Sequence, residues 1–437
     1  MSIYSKLGRS CSQHSKAQMK WTGMAVLAFS AVSILAGCGG SGSTVSTIPT
    51  ASLPTPPAVT PTNAYTGTQS PGLWSFTLDD TQNAFSYLAT TYPATPNVAT
   101  TGTTAPLNGF VKLTSAASTA AGYAVERQSR AFLLRPGDDT ADLVAGVKMD
   151  SCFALTGRVT FNFLYLPSAY DPSVGVLPLK PGTSGDVAVP YGTIVASTNT
   201  DGSAWQFGDY TGGAASNGDP STFSGTCAVT DGQAAVTVTE DANNSMPATI
   251  SVNQAGYIFI DHSVASPNNS TNQPEPSQLG VVQPSSAIST TSVLAGNYAG
   301  FFSAPGAVLG TVPASFSPTT GSSVSLTGGS YPSDDITQIQ DTDTIITLGK
   351  ESTTKYGEYL SATVTRPDPA GKCSYNSGWG TVGVDANGNA TCTFAAYAVV
   401  GNSDGKFVIF LVAGDPVDVD SNGNYGNAAL GIYLFQQ

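Results

Sequence analysis

Apolar side chains in this chain recur at every second residue. No stretch carries the 3.6-residue pattern of a capped amphipathic helix. Arg158 to Pro167 reads RVTFNFLYLP and puts Val159, Phe161, Phe163 and Tyr165 on one face, as a half-buried strand does. The same period predicts strands over Tyr191 to Ser197, Ala234 to Thr239, Tyr257 to Asp261, Tyr298 to Ser303 and Thr344 to Leu348. It continues over Tyr359 to Thr365, Thr393 to Val400, Phe407 to Val412 and Ala429 to Phe435, and Phe85 to Thr91 is the most ambiguous segment. Hairpin signals separate them: Asn199-Thr200-Asp201-Gly202, Asp231-Gly232, Asp385-Ala386-Asn387-Gly388, Asn402-Ser403-Asp404-Gly405 and Ser421-Asn422-Gly423. Asn or Asp before Gly supplies the positive φ that tight antiparallel turns require. The expected fold is therefore all-β, built from antiparallel barrels or sandwiches.

The first residues follow a different logic. A basic stretch with Lys6, Arg9, Lys16 and Lys20 precedes an apolar run from Met24 to Gly37, too short for a membrane span. That order marks a secretory signal. It ends in Leu35-Ala36-Gly37-Cys38, which resembles the lipobox of bacterial lipoproteins. The resemblance covers the signal alone. It implies that the chain is cut before Cys38, that the Cys38 sulfur receives diacylglycerol, and that acyl chains hold the protein to a membrane. Gly39 stands where Asp would retain a lipoprotein at the inner membrane, so the resemblance implies the outer membrane. Met19-Lys20 offers an alternative start to Met1, and Cys11 and His14 are absent from the mature chain either way.

After Cys38 the chain carries 12 basic and 29 acidic groups, a formal charge of −17. That balance argues against nucleic acid or anionic lipid as partners, since both need basic patches. Cys152, Cys227, Cys373 and Cys392 remain as an even set in an exported protein. Four cysteines allow three pairings. Cys152 with Cys227 and Cys373 with Cys392 are preferred, because each pair then lies within one expected domain. The competing use, metal ligation, lacks CxxC spacing and histidines.

Residues 39–72 are Gly, Ser, Thr and Pro with almost no charge, and read as a tether reaching as far as roughly 100 Å. A second tract, 266–292, has the same character. The expected organisation is a signal peptide over 1–37, the lipidated cysteine and disordered tether over 38–72, β domain 1 over 73–265, a linker over 266–292 and β domain 2 over 293–437. The two bodies look like loose copies. Each opens on an aromatic strand (LWSF at Leu73, NYAGFF at Asn297) and ends on an apolar one (GYIFID, KFVIFLV).

Chemistry-bearing side chains are sparse. His262 is the one histidine of the mature chain, and no strand–turn–helix context is present to carry a nucleophilic serine beside it, so a serine triad has no foundation. Asp418-Val-Asp420-Ser-Asn422-Gly423 resembles the opening of a calcium loop, but the twelfth position is Ala429 and not Glu. An Asp- and Asn-rich hairpin turn accounts for the same letters. Asp334, Asp335, Asp341 and Asp343 read as solvated loop. A glycosidase needs two carboxylates at a defined separation. The five glutamates (Glu126, Glu240, Glu275, Glu351 and Glu358) single out no pair. Trp205 and Trp379 lie beside turn residues and are the candidates for stacking on a ligand, with β-core packing as the competing use. These features predict an outer-membrane lipoprotein without cofactor or metal, acting in binding, adhesion or envelope structure on a glycan or protein ligand. The alternative is a carboxylate-dependent envelope glycan hydrolase.

Overall fold

A computed structural model describes residues 53, 62–68, 73–91, 95–96, 100–115, 122–127, 130–137, 143–166, 191–212, 223–230, 233–238, 248–261, 277–289, 293, 295–304, 310–319, 324–331, 343–374, 380–415 and 428–437. Apart from a 3-10 turn at Lys372–Ser374, the regular structure among them is strand. Residues 49–437 form one compact unit. The all-β expectation holds, and the barrel is the form it takes.

The strands form three consecutive antiparallel rings. The first contains β1 (Thr62–Thr68), β2 (Leu73–Asp79), β3 (Ala84–Thr91), β5 (Thr100–Leu107), β6 (Phe110–Ser115), β7 (Gly122–Arg127), β8 (Ala131–Pro136) and β9 (Val144–Val147), with the two-residue β4 (Thr95–Pro96) appended to β3. Each strand pairs with the next, and β9 returns to β1 through Gly67 and Thr68. The second ring is a closed barrel of β10 (Val159–Tyr165), β11 (Tyr191–Thr198), β12 (Ala204–Gly212), β13 (Phe223–Thr230), β14 (Gln233–Val238), β15 (Ala248–Val252), β16 (Tyr257–Asp261) and β17 (Gln278–Val282). The third runs through β18 (Tyr298–Ala304), β19 (Gly310–Pro318), β20 (Ser325–Ser330), β21 (Thr344–Thr347), β22 (Glu358–Pro367), β24 (Ala390–Ser403), β25 (Lys406–Asp415) and β26 (Ala428–Gln436), which pairs back to β18. A ninth strand, β23 (Gly380–Val384), is appended to β24.

Period-two alternation explains both faces of these rings. Eight-stranded barrels are just narrow enough for side chains to fill. Phe76, Leu78, Phe85, Leu113, Phe132 and Leu134 fill the first ring. Phe161, Phe163, Ile194, Trp205, Val236 and Ile250 fill the second. Phe302, Phe316, Leu326, Phe394, Ile409 and Leu434 fill the third. The alternate residues of the same strands form a fourth apolar cluster on the outside, where the rings meet. Leu133 comes from β8, Tyr257 and Phe259 from β16, and Phe410 and Phe435 from β25 and β26. Phe110 of the first ring meets Phe301 of the third edge-on at 5.9 Å, and Tyr257 meets Phe435 at 6.1 Å. Strands at this seam are buried on both faces, as β8, β9 and β16 show.

Two expected boundaries shift. The tract 266–292, read as a linker, supplies β17, the strand that closes the second barrel against β10 and β16. Its segment QLGVV is apolar enough to be buried even though polar and proline residues flank it. The expected tether over 38–72 already contains β1, and Leu53 packs against the core of the second barrel beside Gly256 and Val282. The span read as β domain 1 thus holds most of two rings, the first lacking β1 and the second lacking β17.

Both preferred disulfides are present. Cys152 bonds Cys227 with Cα atoms 5.8 Å apart, and Cys373 bonds Cys392 with Cα atoms 5.6 Å apart. The first pins the segment 149–155 across one end of the second barrel. There Ala234 donates to the Met149 carbonyl and Leu155 N–H to Thr198 Oγ1, both at 2.8 Å. The second pins the 3-10 turn beneath β24. Two disulfides fit a protein that folds in an oxidising compartment outside the cytoplasm.

Candidate functional site: the seam between the second and third barrels

The seam is apolar over most of its area and turns polar where the loop between β21 and β22 meets the second barrel. That loop is shaped by its own letters. Gly349 and Gly357 take φ of +73° and +82°, and Ser352 accepts the Lys355 N–H through its hydroxyl at 3.1 Å. Gly357 is obligatory for a second reason. A Cβ there would lie 2.4 Å from the Val400 carbonyl oxygen and 3.3 Å from Asn162 Nδ2.

Glu351 fastens the loop. Its Oε1 accepts the Gly357 N–H at 2.7 Å, and its carboxylate accepts the Ile288 N–H at 3.0 Å. From the facing barrel, Asn162 on β10 is fully buried and donates through Nδ2 to the Tyr356 carbonyl at 2.7 Å. Its own Oδ1 has no hydrogen-bond partner among the described residues. Glu358, at the head of β22, is 2 % exposed. Lys355 Nζ lies 3.9 Å from Glu358 Oε1, too far for a hydrogen bond, and that oxygen finds no other donor among the described residues. Burial pushes the Glu358 carboxyl above its ordinary range, and the Lys355 charge opposes the shift. Beside it, Tyr191 of β11 and Tyr397 of β24 bring half-buried rings to 4.5 Å at an angle of 54°. Burial, with Tyr397 and Glu358 adding to it, raises the Tyr191 hydroxyl to about 12.

This arrangement joins one buried carboxyl, one buried amide oxygen and two aromatic faces at an interdomain seam, a favoured place for ligand sites. Among the described residues the arrangement contributes one buried carboxyl, Glu358. Glycoside cleavage needs a second carboxylate free to act as base or nucleophile. Glu351, the nearest in sequence, is already occupied by backbone donors from two segments.

The residues singled out by sequence are distributed otherwise. Trp205 is not a ligand-stacking residue. It is 0 % exposed, its Nε1 donates to the Gly202 carbonyl at 2.9 Å, and it packs on Phe207 and Phe153 inside the second barrel. The indole is large and apolar, and the adjacent turn supplies the one acceptor it needs. Trp379, Cys38, His262, Glu240, Glu275, the calcium-loop candidates Asp418, Asp420 and Asn422, and the acids Asp334, Asp335 and Asp341 lie outside the described residues. Among the described residues no group of three acids, cysteines or histidines is placed to hold a metal. Sequence reasoning passed over Asn162, Tyr191 and Tyr397. The available signal was a polar letter within each apolar strand: Asn162 amid RVTFNFLYLP, and Glu358 at the head of EYLSATVTRP.

No protein-family model matches the chain. No curated protein matches it in sequence. Among solved structures it is similar to a crystal structure of the vaccine antigen Transferrin Binding Protein B from Haemophilus parasuis Hp5, at 9% sequence identity and a TM-score of 0.22. The match covers 84% of this chain, and the chain spans 65% of that one.

Proposed function

We propose that this chain is a lipid-anchored outer-membrane protein whose barrels serve as a solid body for binding, adhesion or envelope structure, without catalysis. The observation that carries the reading is the filled interior of each ring. Aromatic and aliphatic side chains occupy the space where a lipocalin-like barrel would hold a ligand. A glycan or protein ligand must then meet the outer faces, the seams and the loops. The lipobox supplies the anchor through Cys38. Fourteen residues lie between Cys38 and Leu53, which limits the stalk to about 45 Å if it runs as polyproline II. The partner surface is acidic, because Arg127, Arg130, Arg135, Lys148 and Arg366 are buried and leave the carboxylates to dominate outside. Nucleic acid is therefore disfavoured as a partner.

The competing reading is a carboxylate-dependent glycan hydrolase. It has Glu358 to draw on, and its requirement is a second free acid across a gap. The direct test is cell fractionation of the wild type and Cys38→Ser. The wild type is expected in the outer-membrane density fraction with a lipid-modified N-terminal peptide, and the variant in the soluble fraction. An unmodified N-terminus in the wild type, or a variant that stays with the membrane, overturns the anchoring. Hydrolysis of purified cell-wall glycan by the wild type that Glu358→Gln abolishes overturns the non-catalytic half.

A further inference from the structure

The third ring carries one strand that belongs to no ring. β23 pairs with β24 over Gly380–Val384, and among the described residues no strand pairs with its other edge. Exposed sheet edges are normally blunted by charge, proline or a bulge. The sequence of β23, GTVGV, has none of these. It also holds two of the three most exposed large apolar side chains among the described residues, Val384 at 72% and Val382 at 54%; the third is Val229 at 55%. The strand is held firmly from behind. Val382 stands opposite Cys392, whose disulfide to Cys373 is buried, and Asp368 fixes that turn by accepting the Lys372 and Cys373 N–H groups at 2.7 and 2.8 Å.

An unpaired edge selects an extended polypeptide as its occupant, because its free backbone groups are spaced for another strand. The order of residues narrows the occupant further. Turned antiparallel on itself about Val382, the strand sets Val382 against Val382 of the second copy. It also sets each Val384 against a Gly380, and each Thr381 against a Gly383. Large therefore faces small at every off-centre position, and no charge opposes its like. A two-fold contact requires self-complementarity of this kind.

We propose that β23 is a homotypic docking edge, through which two copies of this chain join their third barrels into one continuous sheet. Five residues bury little area, so the contact is weak in dilute solution and strengthened where copies are concentrated on one surface. The proposal does not rest on the lipid anchor.

The test is disulfide trapping in the full-length protein under mild oxidant, read by non-reducing electrophoresis. Val382→Cys sits on the two-fold axis and should form a covalent dimer in severalfold excess over Val229→Cys, an equally exposed control on β13. Val384→Cys alone should trap poorly, and Gly380→Cys combined with Val384→Cys should restore trapping. Equal trapping of Val382→Cys and Val229→Cys would mean random collision and would overturn the proposal. So would a Val384→Cys single variant that traps as well as the double one, since the register would then be wrong.

Discussion

Glu358 is an acid placed where water cannot serve it. It is 2 % exposed, its ion pair with Lys355 is long, and burial favours its neutral form. The linkage follows from the direction of the shift. A carboxyl whose folded value lies above its ordinary 4.5 contributes stability below that pH and loses it as pH rises through the folded value. Glu358→Gln should therefore raise the melting temperature at pH 8 and leave it nearly unchanged at pH 4, as scanning calorimetry at the two pH values would show. Asn162 works in the opposite sense. Its Nδ2 is the donor for the partly buried Tyr356 carbonyl, so Asn162→Ala should cost about 1–3 kcal/mol in denaturant melts. Trp205 is the interior case. Removing its side chain empties the second barrel around Phe153 and Phe207, and Trp205→Ala should cost about 3–5 kcal/mol.

At the scale of the element, turns and crosslinks do separable work. Asp404 and Gly405 both take positive φ between β24 and β25, and Asn108 and Gly109 do the same between β5 and β6. These are the mirror-image turns that match strand twist. A Cβ on Gly405 would meet nothing within 4 Å, whereas one on Gly109 would lie 3.3 Å from the Ala299 Cβ of the third ring. Gly405→Ala should then cost only the backbone term of about 1–2 kcal/mol, and Gly109→Ala measurably more in the same urea titration. The disulfides differ by loop length. Cys152–Cys227 spans 75 residues and Cys373–Cys392 spans 19, so replacing each pair by serines should cost about 4 and about 3 kcal/mol by loop entropy.

Strands with one wet face were read from their alternation, and β16, β18 and β25, buried on both faces, from their apolar runs. Strands β11, β14, β22 and β24 alternate and were legible. The strands β7, β8 and β9 were not, because the seam buries both their faces and no Asn-Gly or Asp-Gly turn separates them. β5 reads TTGTTAPL, four threonines with no apolar alternation, and the Asn108-Gly109 turn that follows it was an unread hairpin signal. β17 was hidden by its proline- and serine-rich flanks. The polar seam was beyond local reading for a different reason. Asn162 and its acceptor at Tyr356 are 194 residues apart, and no period in the sequence connects them.

At the scale of the molecule, the governing feature is that each strand near the centre serves two cores. In β25, Ile409 and Leu411 fill the third ring while Val408, Phe410 and Val412 face the other rings. The three rings thereby share one apolar seam and cannot separate without exposing it. That shared packing holds the seam residues and the edge of β23 in fixed positions relative to one another. The most direct test is differential scanning calorimetry of the wild type beside Phe410→Ala. The shared seam predicts one transition, with calorimetric and van't Hoff enthalpies equal, that moves as a whole to lower temperature in the variant. Two or three separate transitions, with only one displaced by Phe410→Ala, would contradict it.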